Sequence, residues 1–114
     1  MGTVLPFPGP SNPARHVGFD RFELNRLVDL YGRMVAAGHW KDYAIEFRPD
    51  AASFWCFRRA AERPEYRIEK RPGNRAGAWA LIGEAGQVVR RGHQLGSILA
   101  PVERRLLKVV ASSG

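Results

Sequence analysis

With 114 residues, 45% of them apolar and twelve aromatic, the chain has the length of one domain and enough apolar material to bury a core. A single cysteine, Cys56, excludes both an internal disulfide and a thiolate zinc cluster and fits a reducing compartment. The formal charge of +7 is lopsided: residues 1–50 carry six Lys/Arg and six Asp/Glu, residues 51–114 twelve against five, so the second half has the field expected to attract an anionic partner.

The chain opens with MGTVLPFPGPSNPAR, where Pro6, Pro8, Pro10 and Pro13 remove amide donors between glycines and an asparagine. Residues 1–16 are therefore expected to form a flexible arm. The arm lacks a basic stretch followed by an apolar run of signal-peptide length, nothing further along reads as a membrane span, and the cytoplasm is the expected location. One α+β domain is expected over residues 17–110 and a frayed tail over 111–114.

Order begins near Phe19. Asp20 and Glu23 have capping-box spacing, and Phe22, Leu24, Leu27, Val28, Tyr31, Met34 and Val35 recur at helical intervals, which predicts a helix over about 20–37 stopped at Gly38. From Trp40 the period falls to two. Tyr43, Ile45 and Phe47 alternate with Asp42, Ala44 and Glu46, Pro49-Asp50 turns the chain, and Ser53 to Arg59 returns as a strand apolar on both faces. A third strand spans Tyr66 to Arg71, with Tyr66 and Ile68 facing the core and Arg67, Glu69 and Arg71 facing water. Ala78 to Ile82 and Gln87 to Arg91 flank the tight Gly83-Glu84-Ala85-Gly86 connection, a hairpin signal. His93 to Leu99 reads as a short helix, with Pro101 ending it or opening a second helical piece through Val110. The order predicts an α+β fold: an N-terminal helix, a five-stranded antiparallel meander and a C-terminal helix, the helices on one face of the sheet.

Several of these segments carry a family resemblance. Phe19 to Arg21, Leu30 to Gly38, Trp40 to Ile45, Phe57 to Ala60, Tyr66 to Pro72 and Arg91 to Leu95, in that order, resemble an alphaproteobacterial family of uncharacterised proteins, domain of unknown function 2794, over roughly residues 17–108. The resemblance implies a bacterial cytoplasmic protein and carries over no activity and no catalytic residue. Pro101 departs from the more continuous C-terminal helix of the family.

The residues show no catalytic constellation. His16 lies in the arm, His39 follows a helix end and His93 precedes a helix, while Cys56 between Trp55 and Phe57 is expected to be a buried, inert thiol. There is no His-x-x-x-His and no paired cysteine, and the glycines fit neither a phosphate loop nor a dinucleotide fingerprint, so no enzyme, no metal and no cofactor are expected. The expectation is a basic binding domain in which Arg58, Arg59, Arg63, Arg67, Lys70, Arg71, Arg75, Arg90 and Arg91 form an Arg-rich sheet rim that contacts nucleic acid or ribonucleoprotein through its phosphates. Tyr66 or Trp79, if exposed, would stack on bases. The alternative is a protein-interaction or regulatory subunit that binds an acidic protein, with the two-sided apolar strand Phe54 to Phe57 or an unpaired sheet edge as its anchor, a reading that exposed Trp55 and Phe57 would favour.

Overall fold

A computed structural model describes residues 16–60 and 62–113, residues 108–113 by backbone only; the expected arm, apart from His16, lies outside the described residues. The first helix, α1 (Arg21–Ala36), begins where the sequence places it. Asp20 Oδ1 accepts the Glu23 amide and Glu23 Oε1 accepts the Asp20 amide, each at 2.8 Å, so two of the amides a helix leaves orphaned are satisfied reciprocally. Leu27, Leu30 and Met34 form its buried stripe. Gly38 then takes φ 84°, a left-handed conformation that costs a residue with a Cβ and stops the helix.

Five antiparallel strands follow in chain order across one sheet: β1 (Asp42–Phe47), β2 (Ala52–Phe57), β3 (Tyr66–Lys70), β4 (Trp79–Gly83) and β5 (Val88–Gly92). The fold is thus α+β, a meander between two helices. Register separates the faces. Ile45, Phe54, Ile68 and Leu81 form one cross-strand row, and Phe54, Ile68 and Leu81, with Cys56 and Trp79, meet Leu27, Leu30 and Met34 in a single apolar cluster. Trp79 is buried there, stacked on Phe19 with ring centroids 6.1 Å apart. Cys56 is buried in the same layer, and loss of hydration pushes its thiol well above the ordinary cysteine range. The β3–β4 connection passes so close to the end of β5 that a Cβ at Gly77 would lie 2.5 Å from the Gly92 carbonyl oxygen.

The second helix corrects the sequence reading. Instead of a short helix ended or restarted at Pro101, one helix, α2 (Leu95–Ser113), runs through the proline. Burial of Leu95, Ile98, Leu99 and Val102 in the common core favours continuity. The proline deprives the Ser97 carbonyl of its intrahelical donor, and Arg90 Nη1 donates to that oxygen at 3.2 Å. No helix among the described residues is long and apolar enough to cross a membrane.

Both helices cover the same face. On the opposite face Glu69 does not face water as its alternation predicts: it is buried, with Arg71 at 3.2 Å and Arg67 at 3.6 Å from its carboxylate. Strand periodicity assigns a side to each residue but says nothing about which long side chains fold down over that side.

Candidate anion site at one end of the sheet

Antiparallel pairing sets Asp42 opposite Phe57, so the residues just outside this pair, Lys41 on one strand and Arg58-Arg59 on the other, are held side by side. The Lys41 amide donates to the Phe57 carbonyl at 2.9 Å and fixes the approach. The end of α1 delivers Gly38 and His39 to the same place. From the far end of the chain, α2 contributes Arg105.

A partly buried bracket orients Arg105. The indole of Trp40 donates to Glu65 Oε1 at 2.8 Å, Glu65 Oε2 lies 3.1 Å from Arg105 Nη1, and Arg105 Nη2 lies 3.3 Å from His39 Nδ1. Guanidinium nitrogens only donate, so in this contact His39 Nδ1 is the acceptor. The other ring nitrogen, Nε2, is buried and has no hydrogen-bond partner among the described residues.

These residues surround a hollow of about 570 Å³ lined by Gly38, His39, Lys41, Arg58, Arg59, Glu62 and Arg105. Four cations face one carboxylate. The arginines are partly engaged: Arg58 with Glu84 at 3.1 Å, Arg59 with Glu62 at 3.7 Å and Arg105 with Glu65 at 3.1 Å. Arg59 keeps 77% of its side chain exposed, and exposed pairs of this kind hold a guanidinium only weakly. Chemically the hollow offers charge and N–H donors to an oxyanion. No group of three metal-ligating side chains occurs among the described residues.

The nine cations singled out from sequence do not form one rim. Arg58 and Arg59 line this hollow, while Arg63, exposed nearby, lines a neighbouring one of about 330 Å³ with Trp55 and Arg67. Lys70 serves the interior: its ammonium lies 2.7 Å from Glu23 and 2.9 Å from the Gly18 carbonyl, above the Trp79 ring. Arg71 bridges Glu69 and Asp50, and the hydrogen bond from Arg71 holds the Asp50 carboxyl below its ordinary range. Arg75 lies exposed on the β3–β4 loop. Arg90 and Arg91 sit opposite Leu81 and Ala80, away from the end where Arg58 and Arg59 lie, and each donates to a backbone carbonyl, of Ser97 and Gly77 respectively. The two arginine pairs therefore do not converge, because β2 and β5 run in opposite directions.

The aromatics are engaged as well. Trp79 is buried, Tyr66 packs edge-on to Trp40, and Trp55 is half-buried with the Arg67 guanidinium 5.1 Å from its ring centroid. Sequence reasoning missed Lys41, His39 and Arg105. The first two were within reach, since a hairpin turn at Pro49-Asp50 sets the start of its first strand beside the end of its second; Arg105 depended on continuity of α2 through Pro101.

The chain belongs to the family described as Protein of unknown function (DUF2794), whose family model matches residues 17–99. No curated protein and no solved structure matches it.

Proposed function

We propose that this domain is a non-catalytic, cytoplasmic binding module that contacts the phosphates of a nucleic acid, or of a ribonucleoprotein, through the basic end of its sheet. The observation that carries this reading is the convergence of Lys41, Arg58, Arg59 and Arg105, drawn from three separate parts of the chain, around one open hollow. Arginine forks match phosphate oxygens in geometry and charge, and a lysine among them adds a point charge. No Phe, Tyr or Trp is among the described residues that line the hollow, and its one ring, His39, is engaged at Nδ1 by Arg105, which favours backbone contact over base readout. The Arg-rich rim thereby narrows to one end: Arg58, Arg59 and Arg63 belong to it, whereas Lys70, Arg71, Arg90 and Arg91 act chiefly within the fold.

Fluorescence-anisotropy titration of single-stranded and duplex oligonucleotides over a range of salt tests the reading. Affinity is expected to fall linearly in log–log form, with little dependence on base sequence, and Lys41→Ala or Arg59→Ala to flatten the slope by about one unit for each phosphate left without its cation. No binding at about 50 mM salt, or a slope unchanged in the Lys41→Ala/Arg59→Ala double variant, would sink the nucleic-acid reading.

A further inference from the structure

Strand β1 lies at the edge of the sheet, and all six of its residues are exposed. Edge strands are ordinarily blunted with charge, proline or a bulge. Here the side chains on the helix-covered face are Tyr43, Ile45 and Phe47, at 43%, 36% and 49% exposure, three large apolar groups in succession. The apolar surface continues onto α1. Tyr31 touches Tyr43 with ring centroids 4.8 Å apart, and Val28 and Val35, on the same stripe of the helix as Tyr31, are exposed beside it. Strand edge and helix together leave a two-layered apolar margin.

The backbone of that margin is also available. Arg48 N donates to Ala51 O at 2.8 Å to close the β1–β2 hairpin, and bonding alternates along an antiparallel ladder, so Asp42, Ala44 and Glu46 direct their backbone groups to β2 while Tyr43, Ile45 and Phe47 direct theirs outward. One outward donor, the Tyr43 amide, is occupied by its neighbour Asp42 Oδ1 at 2.8 Å.

We propose that β1 pairs antiparallel with β1 of a second copy of this chain, about a two-fold axis through Ile45, to give a continuous ten-stranded sheet. The sequence of the strand selects this occupant and this register. Centred on Ile45, the outward-bonding residues meet one another, Ile45 with Ile45 and Tyr43 with Phe47, which sets an aromatic pair on each side of the axis. On the other face Asp42 meets Arg48 of the second copy, twice by symmetry, and Ala44 meets Glu46. Shifting the centre to Ala44 would oppose Asp42 and Glu46 twice, a like-charge arrangement that destabilises cross-strand pairs. Neither Asp42 nor Arg48 makes an ion pair with another described residue in the single chain, and the pairing supplies each with a partner. A two-fold normal to the sheet keeps both α1 helices on one side, so the Val28 and Val35 stripes flank the same seam and the contact is isologous.

Sedimentation equilibrium of the full chain, over a roughly hundredfold range of concentration, tests the proposal. The expected result is a mass rising from 12.8 kDa to twice that value. Ile45→Lys, which sets two ammonium groups on the axis, is expected to leave only the monomer. Asp42→Arg and Arg48→Asp are each expected to weaken association roughly tenfold, since each reversal acts twice across the axis, and the double variant Asp42→Arg/Arg48→Asp to recover it. A monomer at every concentration overturns the proposal, as does a dimer indifferent to Ile45→Lys or charge reversals that the double variant does not rescue. A monomer that dimerises only after deletion of residues 1–15 also overturns it, by assigning the edge to the chain's own N-terminal segment.

Discussion

Single residues in this protein take their chemistry from what packs over them. Cys56 is the clearest case, a thiol in the apolar layer whose ionisation is opposed first by burial and second by the charge of Glu65. Its folded pKa lies above the unfolded value of about 8.5, so its contribution to stability is complete below that pH and declines as pH rises past it, at up to about 1.4 kcal/mol per unit. Chemical denaturation between about pH 8.5 and 10 is expected to show this decline in the native sequence and a shallower one in Cys56→Ala, which is less stable at neutral pH for want of packing. Native-state thiol labelling at pH 8 should proceed at the rate of unfolding rather than at that of a free thiol; rapid labelling would show Cys56 open to solvent. Glu69 illustrates the same dependence with the opposite result for sequence reasoning. Its position on β3 was legible, yet its burial depends on Arg67 and Arg71 folding across it, and no periodicity encodes that.

Elements were legible in proportion to how local their signals are. The start of α1 rests on two side chains three residues apart, and its end on one glycine, so both are visible in a short window. The strand order is equally local, because each connection is short and joins neighbours. The continuity of helix α2 escapes such a window because it is decided at long range: Pro101 is tolerated where Ile98, Leu99 and Val102 hold the helix on the sheet and Arg90, from β5, serves the carbonyl that the proline leaves open. The compensation is testable by a double-mutant cycle in urea. Arg90→Met is expected to cost about 0.5–1.5 kcal/mol in the native sequence and close to nothing in Pro101→Ala, where a new amide at position 101 bonds the Ser97 carbonyl instead. Equal costs in the two backgrounds would show that Arg90 does not serve the broken turn. The candidate site follows the same rule. Arg58 and Arg59 stand out as a local pair; Lys41 joins them through hairpin register, and Arg105 only through the return of α2.

At the scale of the whole molecule, the charge of +7 divides into two populations that composition alone cannot separate. Cations near the far end of β3 are spent on the fold: Lys70 ties the first turn of α1 to the sheet through Glu23 and the Gly18 carbonyl, with side-chain exposures of only 19% and 20% across the ion pair. Cations at the opposite end project over a hollow, and two of them are loosely held or unpaired among the described residues: Arg59, 3.7 Å from its partner and largely exposed, and Lys41, with no ion pair. Removing a member of each population should therefore move different observables. Lys70→Met keeps the apolar stem over Trp79 but strips Glu23 of its cation and the Gly18 carbonyl of its donor, and is expected to cost roughly 1–3 kcal/mol of unfolding free energy while leaving oligonucleotide affinity within about twofold. Lys41→Ala and Arg59→Ala are expected to cost less than about 1 kcal/mol of stability, the ordinary worth of an exposed charge, and to lower both affinity and salt slope. Arg105→Ala should do both, since Arg105 lines the hollow and also neutralises Glu65 beneath Trp40. If instead Lys70→Met and Arg59→Ala shift stability and affinity in the same ratio, the two populations are one, and binding responds to net charge rather than to the basic end of the sheet.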